Sequence, residues 1–165
     1  MNYIIDGHNL ISKIPGLSLS MLDDEQRLIE ILNRFGQLSR HKIEVYFDGA
    51  PVGQAGVRNF GKVQAHFVPL SQTADDAIRK RLARLERSAR NWVVVSSDRS
   101  VQSAAHAAHA QVMSAEDFAE LLQTSLLRAS LHAPTGNVET SRDKPLSEAE
   151  VNEWLTIFKE RRKQK

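Results

Sequence analysis

The sequence predicts an α/β fold built on a largely parallel central sheet. Short apolar runs of strand length alternate with longer segments of helical period, the pattern of repeated β-α-β units. Three of these runs, beginning at Tyr3, Ile43 and Trp92, are followed at once or within three residues by an aspartate: Asp6, Asp48 and Asp98. At 165 residues the chain suits one domain, large enough to bury roughly two-thirds of its unfolded surface.

The elements follow in order. Met1 to Asp6 reads as the first strand, and a loop with Pro15 and Gly16 follows. From about Leu22 to His41, Leu28, Leu32, Phe35 and Leu38 or Ser39 recur at helical spacing with one buried stripe. Ile43 to Phe47 is the second strand, closed by Asp48-Gly49. Gly49 to Lys62, with four glycines, reads as a mobile loop rather than an element. Lys62 to Val68 is a further strand. Thr73 stands three residues before Asp76, a variant of the capping box. The helix it opens carries Ala74, Ile78, Leu82, Leu85 and Ala89 on its buried face. Trp92 to Val95 is the most strand-like run. An Ala-rich helix to about His109, a short strand Gln111 to Met113 and a helix capped by Ser114 follow. Beyond these, residues 131–146 read as a polar linker, and Ser147-x-x-Glu150 caps a last helix, 147–165, with a basic end.

Composition narrows the class. Hydrophobic residues make up 41% and charged residues 25%, as in ordinary globular proteins. No apolar run approaches the ~20 residues a membrane helix needs, and no export signal is evident, so a cytoplasmic location is expected and a membrane partner is not. Zero cysteines exclude disulfides, cysteine-ligated zinc and a cysteine nucleophile. The net charge of +2 says little about partners; where the charge sits says more.

In a parallel sheet the C-terminal ends of the strands share one edge, where ligands bind. Asp6, Asp48 and Asp98 fall on that edge, and Asp75 and Asp76 open a helix from it. Carboxylates so gathered repel one another unless protons or cations intervene. An all-oxygen set suits Mg²⁺ or Mn²⁺. Each acid also has a plainer reading: Asp75 and Asp76 as helix-dipole partners, Asp98 as a cap, Asp48 as a turn residue, and Asn9 as a local backbone hydrogen-bonder.

A basic counterpart lies on the helix from Ala74. Arg79, Lys80, Arg81, Arg84, Arg87 and Arg90 stand against one acid, Glu86. Such a face suits a polyanion laid across the site, or is simply solvated. Arg58 and Phe60, on the glycine-rich stretch, are candidates to clamp and stack a single-stranded base. Arg99, directly after Asp98, is a further candidate RNA contact. Other motifs fail. There is no G-x-G-x-x-G, P-loop or G-x-S-x-G, His8 stands where an aspartyl phosphatase needs a second aspartate, and His106 and His109 have no further zinc ligand in view.

Taken together, the segments Tyr3–Ile11, Val45–Gly49, Gln72–Ile78 and Val94–Arg99 resemble the NYN branch of the PIN-like nucleases, and within it the bacterial YacP-like group. The resemblance covers about residues 1–130, so the expected domain is 1–130. It implies a PIN-like three-layer α/β/α sandwich and metal-dependent cleavage of RNA. The family's first acid falls on Asp6, its polar partner on Asn9, its T-A-D motif on Thr73 to Asp75 with Asp76 alongside, and its S-D motif on Ser97 and Asp98. The expected catalytic set is therefore Asp6, Asn9, Asp75, Asp76 and Asp98, with the four aspartates as metal ligands. Arg58, Arg79, Lys80, Arg84, Arg87 and Arg99 are the expected RNA contacts. The expected partner is RNA in single strands or loops, messenger RNA on ribosomes included. The alternative is an RNA- or ribosome-binding adaptor that keeps the fold and cuts weakly or not at all. Oligomeric state is left open.

Overall fold

In the computed structural model, residues 1–19 and 23–131 are described. The expected linker at 131–146 and the basic helix at 147–165 lie almost wholly outside them. The chain runs β1 (Asn2–Asp6), α1 (Gly7–Ile11), α2 (Asp24–Ser39), β2 (Ile43–Ala50), β3 (Gly56–Phe60), β4 (Val63–Pro69), α3 (Ala74–Leu85), a 3₁₀ helix (Glu86–Asn91), β5 (Trp92–Val95), α4 (Arg99–Ala107), β6 (Gln111–Met113) and α5 (Ala115–Leu131).

The six strands lie in the order β3-β4-β2-β1-β5-β6. Every pair is parallel except β3 with β4. Alternation along β1 explains the three layers. Tyr3 and Ile5 point into one core with Leu28, Leu32, Phe35 and Phe118, under α2 and α5. Ile4 points into the other with Ile78, Leu82, Val94 and Val101, under α3 and α4. Covered on both faces, the central strands β1 and β5 are almost wholly apolar, and β2 is apolar but for Glu44 and its end at Asp48.

β1 holds the position that matters for function. The chain leaves it on one side to β2 and β4, then returns through α3 to β5 on the other side. The crevice at the C-terminal ends of β1 and β5 is thus a topological switch point, where open α/β sheets bind ligands.

The structure corrects four expectations. The stretch Gly49 to Lys62 is not all loop: β3 pairs antiparallel with β4 from Gly56↔Phe67 to Phe60↔Val63. As an edge strand it is almost wholly exposed, so it lacks the apolar alternation that reveals a strand. Gly61, at φ +61°, makes the turn into β4. Secondly, residues after Asp6 are not a plain loop but the short helix α1. Gly7 is there for packing: a Cβ would come within 2.3 Å of the Phe47 ring and 2.9 Å of the Tyr46 carbonyl oxygen. Thirdly, α3 stops at Leu85. Glu86 turns to φ +46° and the chain continues as 3₁₀, so Arg87 and Arg90 leave the helix that carries Arg79, Lys80 and Arg84. Lastly, Arg81 does not belong to a solvated face. It reaches inward and forks onto Glu44 at 2.7 and 2.9 Å.

Candidate active site

Asp6 ends β1 and caps α1. Its Oδ1 accepts the Asn9 backbone N–H at 3.3 Å and its Oδ2 accepts the Ser96 hydroxyl at 3.4 Å. Only 8% of the residue is exposed. Burial raises its pKa to about 6, and the charges of Asp75 and Asp48 add to the rise, while the Asn9 N–H and His8 oppose it. No Lys or Arg pairs with it among the described residues.

Asn9 is more than a local partner. Its side-chain carbonyl accepts the N–H of Ser97 at 2.8 Å, which ties α1 to the loop after β5 and leaves its amide NH₂ to address a ligand. Ser96, fully buried, donates to Asp6 and accepts the Asp98 N–H at 3.1 Å. The serines before Asp98 therefore join the ends of the two switch-point strands.

Asp98 caps α4, its Oδ1 accepting the N–H groups of Ser100 (2.7 Å) and Val101 (3.3 Å). Its charge also reaches Asp75, whose pKa is raised by burial first and by Asp98 next, with Arg79 and Ser100 pulling the other way. Ser100 Oγ sits between them, donating to Asp75 Oδ2 at 3.5 Å and accepting from Arg79. Thr73 caps α3 by accepting the Asp76 N–H at 3.2 Å. This places Asp75 toward the site, half-buried, and leaves the Asp76 side chain exposed.

Asp48 sits where the β2–β4 register shifts between Phe47 and Ala50, and the irregularity aims its carboxylate back at α1. There His8 donates or accepts on both ring nitrogens: Nδ1 meets Asp48 at 2.7 Å and Nε2 meets Glu25 at 2.8 Å. The Glu25 bond, against burial and with the Asp48 bond, raises the His8 pKa. Sequence reasoning missed His8 and Glu25 as site-forming residues. A histidine two residues past a strand-end aspartate was the available signal for His8; Glu25 gave none. Glu116 was missed as well: it pairs with Lys13 at 2.8 Å and accepts from Ser97. Its pKa falls to about 2, through Lys13 first and Ser97 second.

The predicted RNA contacts divide. Arg79, Lys80, Arg84 and Arg99 are exposed on α3 and α4, and of these Arg79 stands beside Asp75. Arg58 lies on another element. It is on β3, its guanidinium 4.8 Å above the Phe67 ring and donating to the Gln54 carbonyl. Phe60 is partly buried and packs against the core.

The donors at the switch point are all oxygen, as a hard cation requires. Among the described residues no three His, Cys, Asp or Glu side chains are grouped to hold an ion unaided. Mg²⁺ commonly takes one or two carboxylates and keeps several waters. Asp6, nearly buried and lacking a cationic partner, and Asp75, within reach of its charge, fit that smaller requirement.

A parallel sheet with an antiparallel edge strand, and with acids at its switch point, defines a PIN-like NYN fold of nuclease type. The chain belongs to the YacP-like NYN domain family, which matches residues 3–159. That span extends past residue 130, where the resemblance read from the motifs ended. Among solved structures the chain is similar to Rae1 (YacP) from Bacillus subtilis, with a TM-score of 0.67 at 22% identity over 99% of this chain and 95% of that one. It is also similar to a tryptophan-to-leucine mutant of Rae1, with a TM-score of 0.66 at 24% identity over 79% and 80%. At these identities the likeness establishes the fold. No curated protein matches the chain. No helix among the described residues is long and apolar enough to cross a membrane.

Proposed function

We propose that the protein is a metal-dependent endoribonuclease that hydrolyses phosphodiester bonds in single-stranded or loop RNA. One observation carries the reading. Asp6 is a nearly buried carboxylate at the switch point, facing other acids and, among the described residues, in no salt bridge with a lysine or arginine. Burying a charge in that way is costly, and a cation bound there would offset the cost.

Asp6 and Asp75 are the residues that would hold Mg²⁺ or Mn²⁺, with Asp98 and Asp76 adding negative potential. When bound, the cation supplies a low-pKa water and neutralises charge at the phosphate. The chain supplies position. The Asn9 N–H and Ser96 hydroxyl fix the Asp6 carboxylate, and Ser100 and Arg79 orient Asp75. The Asn9 amide orients the scissile phosphate. Arg79, Lys80, Arg84 and Arg99 draw the RNA backbone to the edge by charge.

The test is cleavage of a labelled single-stranded RNA with and without Mn²⁺, comparing the parent with Asp6→Asn and Asp75→Asn. Cleavage that needs Mn²⁺ and disappears in both folded variants supports the reading. RNA bound but uncut by the parent at millimolar Mn²⁺ overturns it in favour of an adaptor.

A further inference from the structure

The far end of α3 holds a second feature. There the last turn of α3, the 3₁₀ helix and the C-terminal end of α4 enclose an open cleft of about 640 Å³, within the size range of small-molecule sites. Its floor is apolar: Leu82 and Ala83 from one side, Ala107 and Ala108 from the other. Arg87, Arg90 and His109 stand on its rim, with Glu86 the one acid. Two of those rim residues, Glu86 (φ +46°) and His109 (φ +60°), hold left-handed backbone that non-glycine residues seldom adopt. Both stand at the end of a helix, where left-handed backbone commonly stops it and turns the chain away.

The cleft is joined to the acidic edge. α3 and α4 pack side by side, bridged at the edge by Arg79 and Ser100 and ending at the cleft. The 12 residues of α3 span about 18 Å, which is roughly five nucleotides at the 3.4 Å rise of a stacked strand and fewer if it is stretched. Lys80 and Arg84, four residues apart and both exposed, stand along the way on one helix face.

We propose that this cleft is a nucleotide subsite. It takes one nucleoside phosphate of an RNA strand whose scissile bond lies at Asp6 and Asp75, with the base on the alanine-rich floor and the phosphate between Arg87 and Arg90. Guanidinium forks match phosphate oxygens, and a flat base covers apolar surface that is otherwise wet. The direction of the strand rests on the nuclease reading; occupancy of the cleft is measured without cleavage.

The experiment is fluorescence anisotropy of fluorescein-labelled oligoadenylates of three and ten nucleotides, in EDTA, with the full chain. The ten-mer is expected to bind at least tenfold tighter than the three-mer. The Arg87→Gln/Arg90→Gln double variant removes that gain, and so does Ala107→Phe, which fills the cleft without changing charge and sits at an exposed position. If Ala107→Phe leaves the gain intact, the arginines act only as a diffuse field and the subsite is refuted. If AMP binds with equal sensitivity to Ala107→Phe while the ten-mer shows no gain, the cleft takes a free nucleotide and the strand path is refuted. Failure of the nuclease reading is seen separately, as Asp6→Asn cutting RNA like the parent while the length dependence persists.

Discussion

Glu44 and Asp6 are carboxylates buried in adjacent strands of one sheet, and they meet opposite fates. Glu44, opposite Ile4 in the register, is 1% exposed. Burial alone would raise its pKa, but the bidentate Arg81, aided by Lys42, overrides burial and lowers it. Asp6, two residues further along β1, is 8% exposed and has hydroxyl and amide donors but no cationic salt bridge, so its pKa rises to about 6. The same solvent exclusion thus produces a silent structural ion pair in one place and an unmet charge in the other. An unmet charge is tolerated where a ligand is to supply the missing partner.

The largest expected effect breaks the contrast at Asp6. Asp6→Asn keeps the capping geometry and removes the charge, so Mn²⁺-dependent cleavage falls at least about a hundredfold. Stability moves the other way. A rise from 3.8 to about 6 corresponds to a cost of up to about 3 kcal/mol at neutral pH, so the variant melts higher in EDTA. A variant that melts lower and still cleaves would make Asp6 a cap and nothing more.

At Glu44 the sign is reversed. Arg81→Met strands a buried charge and costs about 3 kcal/mol in urea unfolding, softened by Lys42 at 3.5 Å. Adding Glu44→Gln restores much of the loss. Additive losses in the double variant would show that the pair does not act as a unit.

The pH dependence of stability separates the two acids next. Because folded Asp6 binds its proton more tightly than the unfolded chain does, its contribution is full below pH 3.8 and is lost as pH rises to about 6. Glu44, with its pKa lowered, contributes above 4.5 and loses that contribution as pH falls. His8, raised by Glu25 and Asp48, contributes below 6.5 and loses it as pH rises through its folded value. Urea midpoints of the Asp6→Asn variant should lack the decline between pH 4 and 6 that the parent shows. An unchanged slope would sink the assignment of that decline to Asp6.

The smallest effect is at Lys13 and Glu116, a pair that is 34% and 53% exposed. Although Glu116 is lowered to about 2, solvent screening limits such pairs to about 1 kcal/mol or less. Lys13→Ala should shift the melting temperature by only a few degrees, as scanning calorimetry would register.

Much of the architecture was legible because it repeats a local signal. Three apolar runs buried on both faces and three capping residues, Thr73, Asp98 and Ser114, announce their elements through spacing alone. β3 was hidden because an edge strand need not alternate. The end of α3 was hidden because Ile78, Leu82, Leu85 and Ala89 continue a helical stripe that Glu86 interrupts through its backbone. In the candidate site, Asp6, Asp75 and Asp98 could be named from strand and helix ends. His8 and Glu25 could not, since their bond joins positions 17 residues apart through the packing of α1 on α2.

The sequence by itself determined which acids sit at strand ends and helix starts, since hydrophobic period and capping chemistry act over a few residues. Only the tertiary structure decided which charges are neutralised. Arg81 looks like any other cation on α3 until the sheet brings Glu44 beneath it, and Asp6 looks like any turn aspartate until burial withholds both water and a partner. Whether a charge is satisfied depends on what lies across the chain, because desolvation and Coulomb attraction follow distance in space rather than position in sequence.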